Sequence, residues 1–279
     1  MLMTLPADEA SVEDATAFLH AAAPRLRAPA DEVTGSLRFG VDLGTATVVL
    51  TAVDEADAPV YWDFLPCEAV HDGVVVNFAD AVAAVRTLKE RAEHRLNMTI
   101  EAAGAAFPPG VPKADARACR FVLENAEIDC RSLVDEVSAA QELLGLNSGA
   151  IVDVGGGSTG VGIVEDGVIV ALDDRPGGGR YLDLIIAGAL GIPTSDAERR
   201  KRENPGEYVS ILRPGIERIA ALIERQIAGR AIPAVHLVGG ALLVPGADRV
   251  IANYLGTDTV AYPFADLVTP FGIARSREP

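Results

Sequence analysis

The chain has 279 residues, 49% hydrophobic and 23% charged, enough apolar side chains for sizeable cores, which excludes a disordered chain. Its 40 acidic residues against 24 basic ones give a net charge of −16, a surface that repels phosphate backbones and anionic headgroups. Nucleic-acid binding and polybasic membrane binding are therefore not expected. The three cysteines, Cys67, Cys119 and Cys130, are scattered without zinc-ligand spacing and read as buried, reduced thiols. The longest uncharged stretch, 231–247, is broken by Pro233, Pro245, Gly239 and Gly240 and is no membrane helix. With no basic-then-apolar leader at its start, the chain is expected to be soluble and cytoplasmic.

Residues 1–36 are rich in Ala, Pro and acids and read as a flexible N-terminal arm with one amphipathic turn at 15–26. Order begins with a strand at 37–42, a tight turn at Gly44 and Thr45, a strand at 46–53, an acidic turn at 54–57 and a strand at 59–66. After a turn at Asp72 and Gly73 the period changes. Phe78, Val82, Val85, Leu88, Ala92 and Leu96 recur every three or four residues, which predicts a helix over Phe78–Leu96. A short buried strand at 102–107 stops at Pro108, Pro109 and Gly110; a helix at 114–125, a strand at 128–132 and a helix at 135–146 follow.

The pattern then restarts. Strands are predicted at 151–154, 159–164 and 168–172, separated by a glycine turn and an Asp166, Gly167 hairpin turn. Helices fill 181–229, a strand at 234–238 runs into Gly239 and Gly240, and the chain closes with a strand at 259–262 and a helix from Asp266. Two halves thus share one grammar, each an α/β unit. The expected division is an arm over 1–36, a first lobe over 37–149 completed by 266–279, and a second lobe over 150–265.

The chemistry concentrates in the turns. VDLGTATVV (41–49) and VDVGGGSTGVGIV (152–164) each end an apolar strand with Asp, Asp42 and Asp153, then place glycines and hydroxyls in the turn. Gly44, Thr45 and Ala46 in one, and Gly155, Gly156, Gly157, Ser158 and Thr159 in the other, suit a phosphate chain, because glycine lets backbone amides approach anionic oxygens. A carboxylate at a strand's end suits the hydration shell of Mg2+. Neither turn is a Walker loop or a dinucleotide fingerprint, since no Gly-Lys-Ser/Thr follows and strand rather than helix comes next. Two such hairpins facing each other would clamp a triphosphate from both sides.

Three further segments carry candidates. LVGGALLVPG (237–246) offers Gly239 and Gly240 to a base and ribose, or is a plain strand-to-helix turn. GGGRYLDL (177–184) places Gly178 and Gly179 at a helix start whose amides suit phosphate oxygens. In DEVSAAQELLG (135–145), Asp135 is accounted for as a helix cap, which leaves Glu136 as the carboxylate of interest.

In this order, with LVTPFGIA (267–274) closing the set, these segments resemble the actin, sugar-kinase and heat-shock chaperone superfamily of ATP-binding proteins over about 37–275. More narrowly, GVDLGTA, HDGVVVNFADAVAAVR, AFPPGVP, VLENAEI, IVDVGGGSTGVGIVEDG and TPFGIA resemble the EutJ family of ethanolamine-utilization proteins, small chaperone-like members encoded with bacterial microcompartment genes.

The resemblance implies an α/β, duplicated ribonuclease H-like (actin-like ATPase) fold, two lobes around a nucleotide cleft, with ATP or ADP and Mg2+ as cofactors. Asp42 and Asp153 would hold the Mg2+ hydration shell, the two glycine turns the β- and γ-phosphates, and Glu136 the attacking water. Gly178 and Gly179 would meet phosphates and ribose, and Gly239 and Gly240 the nucleoside. Glu198 and Lys201 fall where relatives contact ribose or adenine, although their spacing equally suits a helix ion pair. The sequence departs from chaperone ATPases at Val137, where they carry Pro, and has no room for the subdomain bearing their catalytic Lys; Lys89 and Lys113 are the lysines of that interval.

The implied activity is a slow, partner-dependent ATPase acting as a chaperone-like switch. Its implied client is ethanolamine ammonia-lyase or microcompartment shell proteins, with association to the compartment. A bacterial actin-like filament or scaffold and a small-molecule kinase are the competing readings.

Overall fold

The computed structural model describes residues 8–68, 70–71, 74–111 and 113–277. They divide into two compact units: a first of residues 9–145 and 267–277, and a second of residue 8 with 146–266. The chain passes between units after Asp8, Gly145 and Asp266.

In chain order the first unit opens with helix α1 (Glu9–Ala22). The meander follows as β1 (Arg38–Leu43), β2 (Thr47–Val53) and β3 (Pro59–Pro66), antiparallel throughout. A two-residue hairpin, β4 (Val70–His71) with β5 (Val74–Val75), was not expected, and the predicted turn at Asp72 and Gly73 lies outside the described residues. Helix α2 (Phe78–Leu96) begins where the Asn77 side chain accepts from Asp80 N. It buries Val82, Val85, Leu88 and Ala92, while Phe78 stays exposed. Then come β6 (Ala102–Phe107), α3 (Lys113–Asn125), β7 (Asp129–Asp135) and α4 (Glu136–Leu144). The sheet runs β3-β2-β1-β6-β7, with β1, β6 and β7 parallel.

The second unit repeats this plan. Its strands are β8 (Gly149–Val154), β9 (Ser158–Glu165) and β10 (Val168–Pro176). The predicted helical stretch resolves into α5 (Gly179–Leu190), α6 (Thr194–Glu203) and α7 (Val209–Gln226). β11 (Ala234–Val238), α8 (Ala247–Leu255) and β12 (Asp258–Ala261) complete it. The order β10-β9-β8-β11-β12 matches the first sheet position by position, with β8, β11 and β12 parallel. β10 runs four residues beyond its predicted end because it pairs along the whole of β9, out to Pro176 opposite Ser158. Each unit has its own core, around Val41, Leu50, Leu88 and Leu123 in the first and Val152, Leu182, Leu212 and Ile216 in the second.

The last helix, α9 (Val268–Arg275), returns to the first unit and packs on β1 and α4 at very short range. A methyl group at Gly40 would stand 2.6 Å from Ala274 N, and one at Gly272 would collide with Ala139 O.

From Glu9 onward the N-terminal segment is ordered, not the flexible arm expected. Ala15, Phe18, Leu19 and Ala22, spaced by one and two helical turns, form one buried face of α1. Phe18 meets Phe271 edge-to-face at 5.2 Å and lies under the Arg275 guanidinium at 4.2 Å. Trp62 Nε1 donates to Ala22 O at 3.0 Å. An alanine-rich face hides this amphipathicity, since it takes shape only where Phe18 finds its partner.

Candidate functional site

In the second unit, β8 ends at Asp153 and Val154, and the parallel register sets Asp153 opposite Val238, so the Gly239 turn follows beside the carboxylate. Asp153 is 7% exposed. Gly239 has φ +85°, and a methyl group there would collide with Asp153 Oδ1 and stand 2.6 Å from Val154 O. Gly239 N donates to Ala265 O and Ala241 N to Val154 O, both at 3.1 Å, which fixes the turn. Gly240 is open except toward Asp266, whose Cβ lies 3.4 Å from the position of a methyl group.

The glycine turn after β8 is braced from one side. Gly177 N donates to Gly157 O at 2.8 Å, Gly179 N to Gly155 O at 2.9 Å and Arg180 N to Gly156 O at 2.9 Å. In a trans peptide the carbonyl and the following N–H point in opposite directions, and the described residues contain no cis bond. The amides of Gly156 and Gly157 are consequently turned away from α5. N–H groups turned to one side in this way suit an anionic oxygen, so the turn fits a phosphate group.

The same bonds correct two expectations. The Gly179 amide is spent on the turn, and a methyl group at Gly178 would collide with Gly155 O, so these glycines allow helix and turn to touch rather than admit phosphate or ribose. Thr159 is fully buried and its hydroxyl donates to Gly177 O at 2.6 Å, which removes it as a phosphate donor. Ser158, the first residue of β9, remains half-buried.

Glu198 and Lys201 do not pair with each other. Lys201, 7% exposed, binds Asp183 on α5 at 2.7 Å, and Glu198 pairs with Arg202 at 2.9 Å. Burial raises the Asp183 carboxyl above its usual range, and the Lys201 ammonium opposes that rise. The ammonium expected at a nucleotide thus ties α6 to α5. Asp183 escaped the sequence reading although GGGRYLDL contains it; its partner is eighteen residues away on another helix.

In the first unit, Asp42 is the penultimate residue of β1 and half-buried. Gly44, Thr45 and Ala46 form the tight turn, where a methyl group at Gly44 would stand 2.9 Å from Thr47 O. Glu136 opens α4 directly after β7, and one strand, β6, separates β1 from β7. Asp42 and Glu136 therefore share the carboxyl end of the parallel strands; β1 and β7 run about 9–10 Å apart, and Glu136 lies two residues beyond Val134, the β7 position level with Asp42. Their proximity registers on Cys119, whose thiol is pushed up to about 12, first by burial and then by the charges of Glu136 and Asp42.

Asp135 caps α4 as expected, accepting from Ser138 N at 2.8 Å and from the Ser138 hydroxyl. That cap fixes the helix start that Val137, lacking proline's ring, does not. Lys89 is committed to Glu127 O at 2.7 Å. The side chain of Lys113 lies outside the described residues.

The family model of the type IV pilus assembly protein PilM matches residues 123–277. The ethanolamine utilization protein EutJ of Salmonella typhimurium is 35% identical over 241 residues, 86% of this chain and 85% of that protein. The crystal structure of EutJ from Carboxydothermus hydrogenoformans superposes with a TM-score of 0.90 at 34% identity, covering 95% of this chain and 99% of that one. MreB 5 of Spiroplasma citri bound to AMPPNP shares the fold with a TM-score of 0.67 at 17% identity, covering 86% and 95%. Two five-stranded sheets of one topology, with these likenesses, make the fold that of the actin-like ATPases. The chain belongs to the EutJ family of ethanolamine utilization proteins and to the wider family matched by the PilM model.

Proposed function

We propose that this protein is a chaperone-like ATP-binding protein of ethanolamine utilization, a slow Mg-ATPase that acts on a microcompartment or its ethanolamine ammonia-lyase by assembly or reactivation. The observation that carries the nucleotide reading is the pair of outward amides at Gly156 and Gly157 beside the Asp153 carboxylate. Donors and a carboxylate at one strand end suit a phosphate chain and its hydrated metal.

In this reading the Gly156 and Gly157 amides and the hydroxyls of Ser158 and Thr45 bind phosphate oxygens. Asp153 and Asp42 accept hydrogen bonds from metal-bound waters. Gly239 and Gly240 leave space for the nucleoside, and Glu136 orients a water. Bound Mg2+ would offset phosphate charge. The interval before Glu136 is too short for the lysine-bearing subdomain of the large chaperones, which supports a slow rate that depends on a partner. The AMPPNP in the MreB 5 structure and the names of the EutJ relatives lend support.

Calorimetric titration with Mg-ATP and Mg-ADP tests binding: saturable heat is expected, weakened in Asp153→Ala, and a flat titration sinks the reading. Pull-downs of ethanolamine ammonia-lyase and shell proteins test the client role, with capture expected to differ between ATP and ADP. Sedimentation separates the alternative, since large polymers formed on adding Mg-ATP would replace the switch with an actin-like scaffold.

A further inference from the structure

On β3, the edge strand of the first sheet, Tyr61 and Asp63 are alternate residues and so face the same side. Both are fully buried. Arg27 Nε donates to Asp63 Oδ1 at 2.6 Å, but Asp63 Oδ2 has only Arg91 Nη1 at 3.5 Å, too long for a good hydrogen bond. Among the described residues neither Asp63 Oδ2 nor the Tyr61 hydroxyl has a hydrogen-bond partner. Two buried polar atoms left unpaired in this way are costly unless something else satisfies them.

Both residues line a pocket of about 580 Å³, together with Arg27, Arg91, His94 and Arg95. The volume falls within the range of small-ligand sites. The Arg95 side chain makes no hydrogen bond or ion pair among the described residues. Three guanidinium groups against one carboxylate leave this pocket positive in a chain of net charge −16. Burial and Asp63 push the Tyr61 hydroxyl up to about 12, with Arg95, Arg27 and Arg91 pulling the other way. It is therefore a neutral donor and acceptor.

We propose that this pocket binds a small oxyanion that carries its own hydrogen-bond donor. Arg91 and Arg95 take the anionic oxygens, because guanidinium matches carboxylate and phosphate geometry. The ligand's donor pairs with Asp63 Oδ2, and the Tyr61 hydroxyl completes the contact. An anion without a proton to give would face the Asp63 carboxylate with acceptors only and is rejected. Hydrogen phosphate and a hydroxycarboxylate both satisfy this chemistry; sulfate and acetate do not.

The test is calorimetry on the full chain without nucleotide, using inorganic phosphate against sulfate and glycolate against acetate. Saturable binding is expected for at least one donor-bearing member, about tenfold tighter than its donor-free counterpart. Preference for phosphate assigns the ligand to phosphates, and preference for glycolate to carboxylates. Arg95→Gln, an exposed change that leaves the fold intact, should abolish binding, whereas Asp153→Ala in the other unit should leave it in place. Equal affinity for phosphate and sulfate, unchanged binding in Arg95→Gln, or no saturable binding by any of the four ions at millimolar concentration overturns the proposal. Loss of phosphate binding in Asp153→Ala alone places the ion at the glycine turn after β8 and likewise overturns it. Tyr61→Phe adds a second readout: it should weaken the anion and leave the unliganded chain as thermally stable as before or more so, and full affinity in that variant counts against the site.

Discussion

Gly239 lies directly against Asp153: the β8–β11 register puts Val238 opposite the aspartate, and a methyl group on Gly239 would strike its Oδ1. A glycine expected to make room for a nucleoside thus also makes room for a protein carboxylate. Gly239→Ala should cost about 1–3 kcal/mol through its left-handed backbone and displace Asp153 as well. Gly246→Ala is the control, with φ +82° and nothing within 4 Å, so it carries backbone strain alone. Denaturant unfolding and Mg-nucleotide titration of both variants check this. Affinity should fall only in Gly239→Ala, and equal losses would disconnect the glycine from the carboxylate.

Lys201 and Asp183 form a buried pair whose members depend on each other. Lys201→Met should destabilise the chain by about 3–5 kcal/mol, because it strands a buried carboxylate. Adding Asp183→Leu should restore most of the loss. Chemical denaturation of both variants decides. A stable Lys201→Met protein with impaired nucleotide binding would return Lys201 to the ligand role.

Asp135 and Glu136 are neighbours with separable tasks. Asp135→Ala removes a helix cap and should cost about 1 kcal/mol, read by urea unfolding. Glu136→Gln should lower kcat with little change in nucleotide Kd, since a water-orienting carboxylate acts mainly in the transition state. Single-turnover kinetics, run with any stimulating partner present, would demote Glu136 if the rate stayed the same.

His236 is 1% exposed, with Nδ1 bonded to the Tyr262 hydroxyl at 2.8 Å and Nε2 without a hydrogen-bond partner among the described residues. Burial lowers its pKa from 6.5 to about 4, although Asp8 pulls it upward. Between these values the unfolded chain binds the extra proton, so the stabilisation is complete above pH 6.5 and is lost as pH falls toward 4. The contribution is about 3 kcal/mol. Unfolding of wild type and His236→Phe at pH 7 and pH 4.5 measures it, with a flatter dependence expected in the variant. Parallel profiles would assign acid sensitivity to other groups.

The repeated plan is written in the amino-acid order. Alternating apolar strands, glycine turns and a helical period over Phe78–Leu96 are local signals, and each is satisfied within a few residues of where it is written. The positions of Asp42 and Asp153 at strand ends were legible for the same reason, as was the Asp135 cap, whose acceptor and donor are three residues apart. The contacts of Gly178, Gly179, Thr159 and Lys201 become visible only in the folded chain. Their partners are Gly155, Gly177 and Asp183, contributed by other turns and helices. Alanine-rich α1 likewise became an ordered helix only against Phe271 and Trp62. The pocket around Tyr61 and Asp63 draws its arginines from positions 27, 91 and 95, a grouping no linear pattern announces. Local conformation follows from backbone and period, whereas the partner of a buried polar group is fixed only when distant segments close around it.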